Sequence, residues 1–516
     1  MRLRLLRTLA AWLTITLGVV AMPALASPPM PLSAQDFAAV IAVIDSGLSP
    51  YHFDFLASTM PSTSGHLAKQ LTRPPDRWLP GFPRPAQFAS YKPLSLTLPT
   101  SPGQSQEPLH RQDAARWNAM QPSGNGAINY RWIPGTKIIG ALTFGSAPGD
   151  KPIKAAITGS ENSFYGQGGS EHGMGSASVA VGNIHGACPE CLLVFLKFST
   201  YESGERALAW ANQQPWIDAV TNSYSFGTGP THSDNVYHGP GVEGGKSASL
   251  RGQTVFFSAG NGIENEFIAP ASTLLSSQKG PDWIVTVAAT SSRGRDYPGT
   301  GKPADVAGIG SGHPSAFDSL SATDGTPFTG TSSAAPQVTG TYAHALATIR
   351  SARGWIRSQD NGVVARAPGC SRVSCRLTAT RLREALMEGA QPTGGSMTDP
   401  DDLTETPALA DSRFADEGYG TYRGLLDGRG SYEAWVQQRI VRPVLGLAAR
   451  PKRPAEEQAW FRVDSWCRQH IWGNWAGGAF RDNGRTPLPP LDPAWPTRTA
   501  LLTTCPALQA PPSTLF

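Results

Sequence analysis

The sequence has little charge for its length. Only 16% of its 516 residues are charged, and the formal net charge is +4. So small a net charge gives no reason to expect nucleic acid or an anionic membrane surface as a partner. The sequence also has no internal repeat, no heptad pattern and no block of like charges. A repeat array, a coiled coil and a charged interaction tail are therefore not expected.

Long apolar runs are absent except near the N-terminus. Residues 9–22 form an apolar run that follows three arginines and precedes Ala24-Leu25-Ala26. This pattern is typical of a secretory signal peptide, predicted over residues 1–26. A membrane anchor is the weaker alternative, because a span needs about 20 apolar residues. We predict an exported protein, secreted or periplasmic, with no stable membrane anchor after signal removal.

Cysteines are few, and they fall into three pairs of near neighbours. In an exported protein such pairs predict three disulfides, although six cysteines allow other connectivities. A zinc site at the Cys-Pro-Glu-Cys segment is the alternative, but the sequence has no second CxxC to complete it. Disulfides are favoured, and no metal site is predicted. The predicted pairs are Cys188 with Cys191, Cys370 with Cys375, and Cys467 with Cys505.

Glycine and proline are abundant, with 55 and 45 residues. They indicate long ordered loops rather than a helical bundle. Residues from about 50 to 130 are rich in proline and serine without a sustained period, which predicts an irregular insertion in the main domain. Such an insertion could shape a substrate cleft or be a surface excursion, and the sequence leaves both readings open.

Strand and helix patterns alternate through the middle of the chain. This alternation predicts βαβ units and a parallel sheet. The apolar run over residues 37–47 fits a strand buried on both faces and contains Asp45 near its end, where functional groups of such sheets collect. Aspartate at a strand end is more often an ordinary turn residue. Further strands are predicted at 137–144, 192–197, 219–222, 254–258 and 284–287, and a helix at 202–212.

The segment Gly330-Thr331-Ser332-Ser333-Ala334-Ala335-Pro336 opens a predicted helix that runs to Ile349. Proline is tolerated in the first turn of a helix, so Pro336 sets the start near Thr331 and Ser332. Free N–H groups and the helix dipole favour a negative charge developing beside Ser332. This suits an acyl-transfer nucleophile if a base is near. The alternative is a flexible loop with a good N-cap.

Two further residues are candidates for the same chemistry. His172 begins a stretch of small residues that predicts a helix lying close to a sheet. At the helix N-terminus the dipole helps to keep an imidazole neutral and able to act as a base. Asn261 follows the predicted strand at 254–258 and can offer a side-chain N–H to an oxyanion. The ordinary alternatives are a loop histidine and a turn asparagine.

Together these segments resemble, in the same chain order, the subtilisin-like serine proteases (subtilases, peptidase family S8). The resemblance implies an α/β, subtilisin-like three-layer fold with a mainly parallel central sheet covered by helices on both faces, plus a small C-terminal extension. One departure is Met174-Gly175, where the family usually has Thr-His after His-Gly. The matching segments are Val43-Ile44-Asp45-Ser46-Gly47, His172-Gly173, Ser258-Ala259-Gly260-Asn261 and the string that starts at Gly330.

The resemblance also implies a mechanism. Ser332 would attack a peptide carbonyl, His172 would take its proton, and Asp45 would orient the imidazole. Asn261 and the Ser332 amide would stabilise the oxyanion. The expected function is that of a secreted serine endopeptidase acting on protein or peptide substrates through an acyl-enzyme. Residues that the resemblance assigns to substrate binding are Ser225, Phe226, Gly227, Ser258, Ala259 and Gly260.

The catalytic domain is predicted over residues 27–432, with a C-terminal extension over 433–516. Six of the 14 tryptophans lie in this extension; they could form a binding platform, but a small core stapled by a disulfide is favoured. A monomer is predicted, and no cofactor is expected for catalysis. Structural calcium is compatible with the resemblance, but no acidic loop nominates its ligands. The rival is a noncatalytic binding or scaffold protein on the same fold, which predicts a lost triad member or a blocked cleft.

Overall fold

A computed structural model describes most of the predicted catalytic domain. The predicted signal peptide and nearly all of the C-terminal extension lie outside the described residues. The described residues are 38–61, 65–124, 126–145, 172–198, 200–224, 240–261, 284–290, 304–310, 313–317, 321–323, 325–353, 355–357, 363–365, 379–390, 436, 440, 441 and 444.

One of the three predicted disulfides lies within the described residues. Cys188 is bonded to Cys191, with their Cα atoms 5.3 Å apart. Cys370 and Cys375 lie outside the described residues, and so do Cys467 and Cys505. The bond of Cys370 with Cys375 and the bond of Cys467 with Cys505 therefore stay predictions.

A seven-stranded parallel sheet lies at the centre of the fold. Its strand order is β4-β5-β1-β6-β7-β8-β9, and every neighbouring pair is parallel. These strands are β1 (Val40–Asp45), β4 (Ile138–Thr143), β5 (Leu192–Lys197), β6 (Ala219–Asn222), β7 (Thr254–Ser258), β8 (Ile284–Thr290) and β9 (Val306–Ile309). Three two-stranded ladders are formed by β2 (Ser90–Pro93) with β3 (Asn129–Trp132), β10 (His313–Ser315) with β11 (Thr326–Phe328), and β12 (Trp355–Arg357) with β13 (Val363–Ala365).

Helices connect and cover these strands. Among the described residues, no helix is long and apolar enough to cross a membrane. The helices are α1 (Gly65–Gln70), α2 (Gln106–Gln112), α3 (Ala114–Asn118), α4 (His172–Val181), α5 (Tyr201–Asn212), α6 (Pro240–Arg251), α7 (Thr331–Arg353) and α8 (Ala379–Gly389).

The sheet is buried on both faces. Side chains of successive residues in a strand point to opposite faces, and β1 divides accordingly. Ile41 and Val43 belong to a core shared with α4 and α7, whereas Val40, Ala42 and Ile44 belong to a second core shared with α5. The apolar run therefore has no polar face because helices cover it on both sides, as predicted for a parallel sheet.

The predicted insertion carries more structure than its sequence pattern indicates. The prediction of an irregular stretch over residues 50–130 was wrong in part, since α1, α2, α3 and β2 lie within it. These elements are short, and they are stabilised by tertiary contacts rather than by a pattern of their own. Phe82 contacts Trp216 with ring centroids 4.8 Å apart, and Tyr91 contacts Trp132 at 4.5 Å.

Buried hydrogen bonds also join the α2 and α3 part of the insertion to residues 49–51, just after β1. The Tyr51 hydroxyl donates to Asp113 at 2.9 Å and accepts from the Trp117 indole at 3.0 Å. The Ser49 hydroxyl donates to the Gln106 side chain at 2.5 Å. Burying so many polar groups is favourable only when they are paired in this way. The insertion also contributes buried side chains to both cores, Leu109 to one and Leu67 to the other, so it is not a surface excursion.

Candidate active site

The candidate residues converge at the carboxyl ends of the sheet strands. Asp45 is the last residue of β1, and Asn261 follows the end of β7. His172 is the first residue of α4, and Ser332 is the second residue of α7. Because the strands are parallel, their carboxyl ends share one edge, where ligands bind in open α/β sheets.

His172 and Asp45 form a direct pair. The Nδ1 atom of His172 lies 2.8 Å from Oδ1 of Asp45 and 3.0 Å from Oδ2. The carboxylate can only accept, so Nδ1 carries the hydrogen and Nε2 keeps a lone pair. The Asp45 side chain is 3% exposed, whereas that of His172 is 32% exposed. The imidazole therefore has one nitrogen fixed in the interior while part of the ring remains accessible.

The environment of His172 adjusts its basicity. Burial by itself lowers the pKa of His172, but the charge of Asp45 and the hydrogen bond to it raise the pKa above the ordinary value of 6.5. The carboxylate outweighs burial, because its contact with the imidazole is direct and the Asp45 side chain is itself buried. The pair is suited to a base that accepts a proton and is stabilised as an imidazolium by its neighbour.

Glycines allow α4 to bring His172 against the sheet. A Cβ atom on Gly173 would lie 2.1 Å from the carbonyl oxygen of Gly47, and one on Gly175 would lie 2.8 Å from the ring of Phe328. The Phe328 ring in turn meets the imidazole of His172 edge to face, with centroids 5.2 Å apart. The small residues that the sequence places in this helix are thus required by its close approach to β1 and β11.

Ser332 lies in the first turn of α7 and exchanges hydrogen bonds with Ser223. Its hydroxyl donates to the carbonyl of Ser223 at 3.3 Å, and the Ser223 hydroxyl donates to the carbonyl of Ser332 at 3.2 Å. The helix begins at Thr331, as predicted, but Pro336 is its sixth residue and so lies beyond the first turn. Proline has no N–H for the carbonyl four residues earlier, which is that of Ser332. Ser223 supplies the missing donor.

Asn261 is oriented by the residue before Ser332. Its Oδ1 accepts from the backbone N–H of Thr331 at 2.8 Å and from the Thr331 hydroxyl at 2.9 Å. A backbone N–H is only a donor, so the oxygen of the amide must face it and the NH₂ group must face away. Gly330 has a φ of +82°, and a Cβ there would lie 2.9 Å from the Asn261 amide. Asn261 is exposed, and its NH₂ is positioned to donate.

The structure brings some predicted residues together and leaves others apart. Between the two described side chains Ser332 and His172 no hydrogen bond is formed, although apo sites often tighten only on substrate binding. Ser258 and Ala259 are buried, so any substrate contact there comes from the backbone. Gly260 has a φ of +98°. The predicted Ser225, Phe226 and Gly227 lie outside the described residues.

Three residues have roles at the site that the sequence prediction did not assign. Ser176 donates to Asp45 at 2.8 Å. It follows His172 by four residues, so helical periodicity could have placed both on one face. Thr331 directly precedes Ser332, so its position in the sequence could also have indicated a role at the site. Ser223 had none, because nothing in the sequence pairs it with a serine that lies 109 positions later.

One group of possible metal ligands exists in the described part of the chain. It consists of Cys188, Glu190 and His344. Cys188 is bonded to Cys191, as predicted, so it offers no thiolate. Calcium prefers six to eight oxygen ligands, and this set supplies one carboxylate, one imidazole and a disulfide sulfur. The set does not fit calcium.

Comparison with known proteins places the chain in a family. A model described as the subtilase family matches residues 37–401, which is more than half of the chain. This chain belongs to the subtilase family. Subtilases are serine-type endopeptidases, and the chain is therefore a serine-type endopeptidase. The predicted α/β fold with a parallel central sheet is confirmed. A search of curated proteins found no match.

Solved structures similar to this subtilase include two proteases. One, described as a cold adapted subtilisin-like serine proteinase, has 16% identity and a TM-score of 0.36, covering 73% of this chain and 91% of its own. The other, the prenylagaramide maturation protease PagA, has 17% identity and a TM-score of 0.33, covering 47% of this chain and 81% of its own.

Proposed function

We propose that this subtilase is an exported serine endopeptidase in which Ser332, His172 and Asp45 form the catalytic triad. The observation that carries the proposal is the pairing of His172 Nδ1 with Asp45 at 2.8 Å. It leaves Nε2 with the lone pair that a general base needs. Ser332 lies at the helix N-terminus, where backbone N–H groups favour an anion.

In the proposed reaction, Ser332 turns from the Ser223 carbonyl toward His172 and attacks the carbonyl carbon of a peptide bond. His172 takes the hydroxyl proton and later gives it to the leaving amine, while Asp45 stabilises the imidazolium. The NH₂ of Asn261 and the N–H of Ser332 bind the oxyanion. Water then hydrolyses the ester of the acyl-enzyme, which releases the carboxylic acid product and restores Ser332. This chemistry uses only groups of the protein, and the proposed substrates are proteins or peptides.

The proposal also covers the cellular location and the oligomeric state of the protein. The signal-peptide pattern of residues 1–26 supports export, and the Cys188–Cys191 disulfide is consistent with an oxidising compartment. We propose a monomer in the periplasm or outside the cell. Expression with the native N-terminus, followed by N-terminal sequencing of the exported protein, tests whether the mature chain begins at Ser27.

The triad is tested by casein hydrolysis and by labelling with a serine-directed phosphonate. Ser332→Ala is expected to lower kcat by about four orders of magnitude or more and to abolish labelling. Ser333→Ala is a matched control, since its neighbouring buried hydroxyl donates to the carbonyl of Ile309 at 3.3 Å. The control should keep its activity and its label. A folded wild-type protein that shows neither hydrolysis nor labelling would favour a noncatalytic binding protein.

A further inference from the structure

Asp45 receives a hydrogen bond that the triad itself does not provide. The hydroxyl of Ser176 is buried and donates to Oδ2 of Asp45 at 2.8 Å. The other oxygen, Oδ1, accepts the N–H of Ser46 at 2.7 Å and faces His172 at 2.8 Å. Oδ2 has a second contact with His172, at 3.0 Å. Both oxygens of the carboxylate are thus held.

The helix geometry accounts for this contact. Ser176 follows His172 by four residues in α4, and residues four apart lie on the same helix face. Serine inside a helix commonly donates back to the carbonyl four residues earlier, which here belongs to His172. In this structure its hydroxyl donates instead to Asp45. One helix face therefore presents both the imidazole and a second donor to the same carboxylate.

We propose that Ser176 is a positioning residue of this protease, which fixes the Asp45 carboxylate against His172 by holding Oδ2. The inference rests on the proposed triad. A carboxylate bound only through Ser46 and His172 would be freer to rotate, and its pairing with the imidazole would be less constant.

Alanine is intrinsically a better helix former than serine. Ser176→Ala is therefore not expected to weaken α4 through helix propensity, and its effects report the lost hydroxyl. Loss of a hydrogen bond to a charged group predicts a kcat about tenfold lower. KM should be unchanged, because Ser176 is buried beneath His172. The acid limb of the pH–rate profile should move to lower pH, since a carboxylate that pairs less constantly with the imidazole raises the pKa of His172 less.

The same helix offers a matched control. Ser178 is also buried and also donates to a buried aspartate, but that aspartate is Asp54. The Ser178 hydroxyl also accepts the N–H of Ala316 at 2.9 Å. Ser178→Ala should lower stability without moving the acid limb. Ser176→Thr retains the hydroxyl and should restore both kcat and the acid limb toward those of the wild type.

Other titratable groups lie on the elements packed around α4 but are common to all of these variants. They include Lys197 at the end of β5, Asp54 and His52 in the segment after β1, His185 between α4 and β5, His313 on β10, and Lys137, which donates to the Val181 carbonyl at the end of α4. A difference between Ser176→Ala and Ser178→Ala in the acid limb therefore belongs to the hydroxyl facing Asp45.

The deciding experiment has two arms. The first compares kcat, KM and the pH–rate profile of the wild type, Ser176→Ala, Ser178→Ala and Ser176→Thr. The second follows the His172 ring by NMR titration in Ser332→Ala, with and without Ser176→Ala, and needs no activity. A His172 midpoint that falls on loss of Ser176 supports the proposal.

An unchanged or raised midpoint overturns the positioning role, as does an equal rate loss in Ser178→Ala. Failure of the proposed triad has a different signature: the wild type would be inactive, or Ser332→Ala would be active. In that case the NMR arm still decides whether Ser176 acts on His172 through Asp45.

Discussion

At the scale of single residues, Thr331 fixes the direction of the proposed oxyanion donor. Both its N–H and its hydroxyl bind Oδ1 of Asn261. Thr331→Val keeps the shape and the N–H but removes the hydroxyl. Because full loss of an oxyanion donor lowers kcat by about 100- to 1000-fold, partial loosening should lower it by roughly 3- to 30-fold, with KM little changed.

Thr339→Val is the control for Thr331→Val, since its hydroxyl bonds only within the same helix, to the carbonyl of Ala335 at 2.8 Å. Steady-state kinetics on a peptide substrate measure both variants. If Thr331→Val had the kcat of the wild type, or if the control lost as much, the orienting role would be wrong.

The pKa of His172 sets the expected pH dependence of activity. The base must be neutral, so kcat/KM should rise as the pH increases through the pKa of His172. Asp45 raises that pKa above 6.5, so the midpoint of the acid limb should lie above pH 6.5. A profile measured from acid to alkaline pH checks the position, and a midpoint at or below 6.5 would contradict it.

These residues differ in how far the sequence could predict them. Asp45, His172, Asn261 and Ser332 stand in short strings whose residue types already suggest their chemistry. The resting partner of Ser332 is different: its hydroxyl binds the carbonyl of Ser223, a contact set by how β6 and α7 meet. A contact between residues so far apart in sequence cannot be predicted from a local sequence pattern.

At the scale of elements, the close crossing of α4 and α7 depends on Gly340. A Cβ atom there would lie 2.6 Å from the carbonyl oxygen of Ala180 and 2.7 Å from Cβ of Ala187. Gly340→Ala gains about 1 kcal/mol of helix propensity, but overpacking costs about 1–3 kcal/mol, and the backbone oxygen cannot move aside alone. We expect a net loss in the free energy of unfolding.

Urea unfolding in the Ser332→Ala background, which prevents self-digestion, measures the Gly340→Ala effect. Gly244→Ala in α6 is the matched control, because its nearest contact would be an ordinary 3.4 Å from Asn212. The control should be neutral or stabilising by up to about 1 kcal/mol. Equal stability of the two variants would show that the crossing tolerates a methyl group.

Strands were predictable where burial on both faces makes their residues mainly apolar. Strands β5, β6 and β7 match the sequence prediction to the residue, because an apolar run bounded by turns leaves little freedom. The helices of the insertion were missed because aromatic and buried polar contacts stabilise them. The predicted start of α7 near Thr331 is confirmed, although Pro336 lies beyond the first turn. The helix tolerates this proline because the Ser223 hydroxyl donates to the Ser332 carbonyl, which would otherwise lack a donor.

At the scale of the whole molecule, a buried cluster behind α4 joins three parts of the fold. Asp54, after β1, accepts the N–H groups of Ile184 at 2.7 Å and His185 at 3.2 Å. His313 on β10 lies 3.4 Å from the carbonyl of His185 through its Nε2. The side chains of Asp54, His185 and His313 are all buried. Their protonation is therefore linked to whether the molecule is folded.

The cluster predicts that acid destabilises the fold. Burial lowers the pKa of His185 and of His313 to about 4. Between pH 6.5 and about 4 the unfolded chain binds protons that the folded chain excludes, so the free energy of unfolding falls as the pH falls. Burial by itself raises the pKa of Asp54, but the neighbouring histidines, once protonated, and the hydrogen bonds from Ser178 and Ile184 lower it below the ordinary value of 3.8. Asp54 therefore adds to the loss of stability only below about pH 3.8. Both effects have the same sign.

His313→Gln isolates one of these protons, because glutamine keeps a donor for the His185 carbonyl but does not titrate. Urea unfolding of the Ser332→Ala protein at several pH values from 7 to 4.5 should show stability falling with pH. In His313→Gln the slope should be smaller by up to about 1.4 kcal/mol per pH unit, the value for one proton. An unchanged slope would mean that His313 is protonated in the folded protein. The acid sensitivity would then have to come from other buried histidines, such as His185 and His110, whose pKa burial also lowers to about 4.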